Sequence, residues 1–347
     1  MSKSITYEIF WLRCIACLAV VLGHAAYSGV LLFPENNQSS HLLTAFRMAT
    51  MFATPTFVFI SEFLFAKSYQ NGLPRGFFKT RLKYLLIPYL IMAVVYALVF
   101  SEYLKVSTIS IEIFKNIFLG NFVAYFILII FQFYLLHFLL HKKMLIWNIK
   151  KILLISLLVN ITYLGIFNFI PAPSNSLIQY FWNRGHWILA PGWIFYFTLG
   201  YYSGRYYDQL LSFLSKHKNK TLMTPFVLLF FVLLLRYLEL PDVNSSKRID
   251  VLFYTISIIF LIMFLTSKVK FPPRIVMFIS NYSFSIFLLH KLIVDTMGRI
   301  GNNVYIHVLV IFILGITSSV VTSYLLNKFP FGKYIVGKVQ HFKIQRE

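Results

Sequence analysis

The stretch WLRCIACLAVVLGHAAYSG, Trp11 to Gly29, is apolar throughout most of its length. It is long enough to cross a membrane as one helix, which takes about 20 residues. Arg13 and His24 nevertheless lie within it. Ionisable side chains inside a membrane span are costly, so they normally face the interior of a helix bundle or a water-filled cavity. The stretch therefore predicts a membrane helix with one functional face.

The composition of the whole chain also indicates a membrane protein. Of its 347 residues, 59% are hydrophobic and 12% are charged, and a soluble domain needs more polar surface than that. The net charge of +21 would suggest nucleic-acid binding in a soluble protein. Here the cations lie mostly in short loops, and no nucleic-acid-binding motif is present. We therefore expect no nucleic-acid partner. Cys14 and Cys17 share the first span and form neither a disulfide framework nor a zinc site, so we also expect no metal.

Apolar runs predict an all-α polytopic membrane protein, a bundle of about ten transmembrane helices. The segments that would face the cytoplasm hold about three times as many Lys and Arg residues as the outer segments, which places both termini in the cytoplasm. No repeat or linker divides the chain, so residues 1–347 are predicted to form a single domain. The predicted spans are 8–33, 42–66, 84–101, 120–140, 152–170, 187–206, 222–239, 251–267, 275–294 and 303–326.

Helical geometry brings several of the buried polar residues to two common depths. Arg13 and His24 project from one face of the first helix, roughly 16 Å apart along its axis, and would mark two depths of one cavity. The second span runs back, which puts Glu62 level with Arg13 and Arg47 within about a turn of His24. The ninth span puts His290 at the depth of His24. The alternative is that Arg13 reaches the inner surface and that His24 is a structural residue.

His24, His290 and Arg47 lie at about one depth, and this combination of side chains suits acyl transfer. His24 can take the proton of an attacking hydroxyl, or attack a thioester itself and carry the acyl group. Arg13 can hold a phosphate or stabilise a developing oxyanion, and we expect Glu62 to hold Arg13 in place. A coenzyme A donor would first meet the basic inner loop that contains Arg81. Ser61, in the polar stripe of the second span, is a further candidate for substrate binding.

The same residues resemble the motifs of the acyltransferase-3 family of membrane proteins. Arg13, ten intervening residues and His24 form a pattern similar to that family's signature, and Glu8 precedes it as in the family. In FVFISEFLFAKS, Ser61 matches the family's Ser-Gly pair, whereas Glu62 departs from it.

Later blocks of the chain extend this resemblance. In FFKTRLKYLLIPY, Arg81 fits the first position of an Arg-x-x-Arg pattern and Tyr84 replaces the second arginine. His290 falls on a family histidine. The blocks that resemble the family here are 77–89, 193–205 and 279–290.

The resemblance implies a multi-pass enzyme of a bacterial cell membrane that uses acetyl-CoA or another acyl-CoA. It implies transfer of an acetyl group, or another short acyl group such as succinyl, to hydroxyls of a surface polysaccharide or a lipid-linked glycan. It extends to a staphylococcal intercellular-adhesion branch, described as exporting poly-β-1,6-N-acetylglucosamine and also as O-acylating it. A polymer of that kind is thus the expected acceptor, and a polysaccharide synthase is a further candidate partner.

Two other functions remain alternatives. An exporter of poly-β-1,6-N-acetylglucosamine would need an aromatic-lined passage, which the many Phe and Tyr residues permit. A glycosyltransferase that uses polyprenyl-linked sugars normally needs acidic residues in an outer loop. The first outer loop offers only Glu35, so we rank this function last.

The outer loop 171–186 and the fourth span contain weaker candidates. Arg184 and His186 can grip an acceptor sugar, although an ordinary solvated loop has the same composition. His137 and His141 lie four residues apart, a spacing that suits a metal, but no third ligand is evident. We interpret these two histidines as facing the membrane interface.

Overall fold

The computed structural model describes residues 6–69, 74–103, 105–241 and 243–339, and these contain helices and no strand. The all-α prediction is therefore confirmed. A π-helical turn, Leu82–Leu86, joins α4 to α5, and short 3₁₀ turns precede α7 and α10. The helices are α1 (Tyr7–Leu32), α2 (Asn37–Thr50), α3 (Ala53–Ser68), α4 (Phe77–Arg81), α5 (Ile87–Phe100), α6 (Val106–Leu119), α7 (Phe126–Ile146), α8 (Ile149–Phe169), α9 (Ser176–Ile188), α10 (Ile194–Arg205), α11 (Tyr207–Lys216), α12 (Lys218–Tyr237), α13 (Ile249–Thr266), α14 (Arg274–Thr296), α15 (Val304–Asn327) and α16 (Gly332–Ile335).

Helix α1 is central to the bundle and packs against α2, α3, α13, α14 and α15. Nine helical segments in the described ranges are long and apolar enough to cross a membrane. They are Tyr7–Leu32, Gln38–Ser68, Phe77–Phe100, Val106–Ile146, Ile149–Phe169, Lys218–Tyr237, Ile249–Thr266, Arg274–Thr296 and Val304–Asn327.

The predicted sixth span, 187–206, differs from an ordinary transmembrane helix. Its helix α10 has only 12 residues and is buried on most of its surface. At its start, the Trp193 ring lies 6.4 Å from that of Tyr125, next to the outer end of α7. Towards its end, the Tyr201 ring lies 6.5 Å from that of His141, near the inner end of α7. Because protein surrounds this segment, a short helix preceded by a 3₁₀ turn crosses where lipid would require a longer one.

The predicted second span, 42–66, is divided into α2 and α3. The two helices meet at Met51 and Phe52, and Pro55, which has no N–H to donate, lies in the first turn of α3. Helix α2 approaches α1 closely, since a Cβ atom built on Gly23 would lie 2.6 Å from the Thr50 hydroxyl. This approach brings the inner half of α2, including Arg47, against the functional face of α1.

Two glycines allow α10 to pack directly on the backbone of α3. A Cβ atom at Gly204 would lie 2.3 Å from the carbonyl oxygen of Phe63, and one at Gly200 would lie 2.8 Å from that of Phe59. Small residues permit such close helix approach inside membranes. The contact fixes α3, and hence Ser61 and Glu62, against α10.

We expect Gly204→Ala to destabilise the protein by about 1–3 kcal/mol, because the added methyl group forces α10 away from α3. Thermal unfolding of the purified protein in detergent measures the effect. Gly165→Ala is the matched control, since a Cβ there meets only Ile249 at 3.6 Å, an ordinary contact. Equal unfolding temperatures for the two variants would contradict the proposed close approach.

Candidate active site

The structure brings His24 and His290 together at the centre of the bundle. Their ring centroids lie 5.2 Å apart. His290 is fully buried, and its Nδ1 donates a hydrogen bond to the carbonyl oxygen of Ile286 at 2.9 Å. A neutral imidazole that donates from Nδ1 carries a lone pair on Nε2, and this Nε2 has no other partner among the described residues. His290 is thus arranged to accept a hydrogen bond from a neighbouring ring.

A cavity of about 620 Å³ opens on the outer side of this pair. His24 and Arg47 line it, whereas His290 lies behind His24 and does not. The lining combines aromatic rings with amide, hydroxyl and charged groups, as carbohydrate sites do. The aromatic residues of the lining are Tyr96, Phe100, Phe122, Tyr125, Trp187 and Phe287.

The charged side chains of the cavity are predominantly cationic. Arg47 lies 4.2 Å above the Tyr27 ring and donates to the carbonyl oxygen of Asn244 at 3.4 Å. Arg184 donates to the side-chain oxygen of Asn121. Among the residues that the structure describes, two acidic side chains line the cavity, and each is bound to a lysine, Glu112 to Lys115 at 2.7 Å and Asp295 to Lys291.

Lys247 is a cavity residue that the sequence analysis does not single out. It is 4% exposed, and its Nζ donates to the Tyr125 hydroxyl at 2.5 Å. The same Nζ lies 4.4 to 5.3 Å from the ring centroids of Tyr125, Trp187 and Trp193. Burial lowers the pKa of Lys247 to about 7. No sequence pattern distinguishes this lysine from an ordinary loop lysine, since its aromatic partners are distant along the chain.

The two candidates from the outer loop 171–186 lie in different environments. Both lie within α9, so this segment is largely helical rather than a solvated loop. Arg184 lines the cavity and contacts the Trp187 ring at 5.1 Å. His186 is not part of the lining; its Nε2 accepts a hydrogen bond from Trp187 at 2.6 Å and its ring packs near that of Phe167. The expected grip of His186 on a sugar is therefore not supported, because two residues along a helix turn the side chain away by about 200°.

A second polar group, the inner cluster, lies around Tyr134 on α7. Arg81 lies 5.7 Å from the Tyr134 ring, and Arg13 and Ser61 also lie beside this tyrosine. The two arginines come from α1 and the basic inner loop, as the donor-binding hypothesis requires. Arg13 does not line the outer cavity.

Glu62 does not hold Arg13, contrary to the prediction. Its Oε1 lies 2.6 Å from Nδ1 of His137, and both residues are buried. Ser61 and Glu62 are adjacent on α3 and thus about 100° apart, and Glu62 points to the side of α3 where His137 of α7 and Gly200 of α10 lie. His137 is consequently an interior residue, and its assignment to the membrane interface is wrong.

Three phenylalanines form a layer between the outer cavity and the inner cluster. The rings of Phe57, Phe126 and Phe287 lie 4.3 to 6.3 Å apart. On α3, Phe57 follows Thr54, which lines the cavity, and precedes Ser61, which belongs to the inner cluster. Arg13 and His24 therefore do not share one open cavity, because this layer separates their depths. Within the described residues, no group of three or more His, Cys, Asp or Glu side chains is placed to hold a metal ion.

Comparisons with known proteins show which proteins this chain is similar to. The model of the acyltransferase-3 family, described as an acyltransferase domain, matches residues 6–328. A protein of Bacillus subtilis (strain 168), whose name proposes a membrane-bound acyltransferase, is 39% identical over 96% of this chain and 94% of its own length.

Staphylococcal proteins are also similar over nearly the whole chain. A protein of Staphylococcus aureus (strain MSSA476) is 29% identical over 99% of this chain and 98% of its own length. A protein of Staphylococcus epidermidis is 28% identical over 97% and 96% of the two chains. The names of both propose export of poly-β-1,6-N-acetyl-D-glucosamine. No solved structure matches the chain significantly.

Proposed function

Since this chain belongs to the acyltransferase-3 family and is a multi-pass bacterial membrane protein, we propose that it is an O-acyltransferase that modifies a cell-surface glycan. The donor is acetyl-CoA or another short acyl-CoA, including succinyl-CoA. The acceptor is a hydroxyl of a polymer similar to poly-β-1,6-N-acetylglucosamine, or of its lipid-linked precursor. The observation that carries the proposal is the position of His24, which lines a sugar-sized cavity of aromatic and polar residues and contacts His290.

His24 acts as the general base in this proposal. With its Nδ1–H held by Ile286, His290 can accept a hydrogen bond from His24 and so direct the other nitrogen of His24 to the cavity. That nitrogen takes the proton as the acceptor oxygen attacks the thioester carbonyl. The new C–O bond forms, the C–S bond breaks, and His24 returns the proton to the departing sulfur of coenzyme A. Direct attack by His24, with an acyl-imidazole intermediate, is the other route that this geometry allows.

The inner cluster serves the donor. Arg13 and Arg81 can bind phosphate groups of coenzyme A from the cytoplasmic side, because guanidinium groups bind phosphate with paired hydrogen bonds. The thioester then has to pass the layer of Phe57, Phe126 and Phe287 to reach His24. The side chains of this layer must therefore separate when the donor binds.

We expect Arg81→Ala to raise the KM for acyl-CoA about tenfold or more, because it removes a charge-assisted contact to donor phosphate, while kcat changes little. Steady-state kinetics with varied acyl-CoA measures both constants. Lys79→Ala removes an exposed cation from the same helix and is the matched control. A KM that changes equally in the two variants would contradict a specific role for Arg81.

Export of the polymer is the competing function, which the names of the staphylococcal relatives favour. An exporter needs a passage that admits a sugar chain, whereas the cavity of this protein ends at Phe287 and the phenylalanine layer. For acyl transfer this layer has to open only for the narrow acyl-pantetheine arm of the donor, whereas export requires it to admit a whole sugar chain, and this difference favours the transferase.

The deciding experiment incubates purified protein with acetyl-CoA and a β-1,6-linked N-acetylglucosamine oligosaccharide. A transferase releases free coenzyme A, detected by its thiol, and adds acetyl groups to the oligosaccharide, detected by mass spectrometry. Release that depends on the oligosaccharide supports the proposal. If neither acetyl-CoA nor succinyl-CoA yields thiol while vesicles containing the protein take up the oligosaccharide, the protein is an exporter.

A further inference from the structure

The outer cavity contains more positive charge than its acidic groups neutralise. Arg47, Arg184 and Lys247 reach it from three separate elements, α2, α9 and the segment before α13. Glu112 and Asp295 are already bound to lysines. No ion pair joins a carboxylate to Lys247 among the residues that the structure describes. A buried cation without a carboxylate is costly, so an arrangement that retains it points to an anionic ligand.

The three cations converge on one part of the cavity. Lys247 and Arg184 contact the same indole ring, that of Trp187, at 4.7 and 5.1 Å. Arg47 donates to the carbonyl oxygen of Asn244, three residues before Lys247. A group that binds beside Trp187 therefore meets Lys247 and Arg184 together, with Arg47 on the adjacent wall.

We propose that this part of the cavity binds a phosphate-diester or diphosphate-diester group, held by Lys247, Arg184 and Arg47, while the attached sugar lies toward His24. The inference rests on the proposed function only in treating the bound molecule as the acyl acceptor. The same phosphate chemistry is available from a lipid-linked glycan and from a phospholipid headgroup. A neutral sugar alone would leave the three cations without a counterion in the part of the chain that the structure describes.

The affinity of this site for an anion is expected to depend on pH, because Lys247 has to be protonated to bind it. Burial lowers the pKa of this lysine to about 7, so above this pH the free protein has to take up a proton before Lys247 can bind an anion. The Kd for the anion is therefore expected to rise above about pH 7, by at most about tenfold per pH unit.

Other ionisable groups around Lys247 need a control. Those that face it are the Tyr125 hydroxyl, His186 on α9 and, across the cavity, His24 on α1. Burial lowers the pKa of His186 to about 4, so it is neutral throughout this range. Arg248, next to Lys247, is bound to Asp250 at 2.9 Å. Lys247→Arg keeps a cation that does not titrate and separates Lys247 from His24.

The test measures binding of UDP-N-acetylglucosamine, whose diphosphate diester does not titrate between about pH 6 and 9, to the full-length protein in phosphatidylcholine nanodiscs. At pH 6.5 we expect binding that an equimolar mixture of uridine and N-acetylglucosamine does not reproduce. Lys247→Gln should raise the Kd about tenfold or more, because it removes a charge-assisted hydrogen bond. Lys105→Gln, which removes an exposed outer lysine, should leave it unchanged. Lys247→Arg should bind with little dependence on pH.

Repeating the measurement in nanodiscs that contain phosphatidylglycerol distinguishes the two sources of phosphate. If phosphatidylglycerol competes with UDP-N-acetylglucosamine, the result supports the phosphate site and assigns it to a lipid headgroup. If phosphatidylglycerol leaves the Kd unchanged, the result supports the phosphate site and assigns it to the acyl acceptor. Equal affinities for UDP-N-acetylglucosamine and the unlinked mixture would overturn the proposal, as would a Kd that Lys247→Gln leaves unchanged. Because binding is measured without acyl transfer, either result is independent of whether the enzyme assay succeeds.

Discussion

His24→Ala is expected to lower kcat for acyl transfer by about 10²–10⁴-fold, because it removes the cavity base that is held against His290. The KM values for donor and acceptor should change little, since His24 acts on the proton that moves during the reaction. Thiol release from acyl-CoA in the presence of oligosaccharide measures kcat. Thermal unfolding in detergent verifies that the variant remains folded.

A matched control for this variant is His41→Ala, which removes an exposed histidine from α2. It should retain the wild-type rate. His290→Ala should give a smaller loss than His24→Ala, because His290 only orients the base. A correctly inserted His24→Ala protein that acylates the glycan at the wild-type rate would eliminate His24 as the base.

Glu62→Ala is expected to destabilise the protein by about 1–3 kcal/mol, because it leaves the buried Nδ1 of His137 without its hydrogen-bond partner. The Glu62–His137 pair holds α3 to α7 in the interior, with both side chains at most 2% exposed. Thermal unfolding of the purified variants measures the loss. Glu62→Gln should recover most of it, since the amide oxygen can still accept the hydrogen bond from Nδ1 of His137.

Two comparisons make this prediction specific. Glu102→Ala removes an exposed glutamate and should leave the unfolding temperature unchanged. His137→Ala should destabilise to a similar extent as Glu62→Ala, and the double variant should lose less than the sum, as expected for contacting residues. If Arg13→Ala rather than His137→Ala coupled with Glu62, the pairing predicted from helix depth would be restored.

Most of the fold followed from apolar run lengths and charge distribution. These patterns depend only on the thickness of the bilayer and on the side of the membrane that favours lysine and arginine, so they require no knowledge of neighbouring helices. The exceptions are the break between α2 and α3 and the short helix α10. Protein rather than lipid covers α10, and the rule that relates apolar length to membrane thickness does not apply to such a segment.

The depth of each candidate residue also followed from the sequence, because an α-helix rises by about 1.5 Å per residue whatever its neighbours are. The proximity of His24 and His290, and of Arg13 and Arg81 around Tyr134, reflects this regularity. The direction in which a side chain points around the helix axis, by contrast, does not follow from the rise per residue. Glu62 lies at the depth of Arg13, yet the rotation of α3 directs it to His137.

Apolar run lengths and the helical rise thus suffice to predict a helical membrane protein and the depth at which its ionisable groups lie. Which helices are neighbours, and how each helix is rotated, follow from the packing of the folded chain and not from these patterns. These features decided the pairing of Glu62 with His137, the phenylalanine layer, and the inclusion of Lys247 in the cavity. The reason is that depth follows from a constant rise per residue, whereas rotation and neighbourhood depend on close contacts, such as those of Gly200 and Gly204 with α3, between segments far apart in the chain.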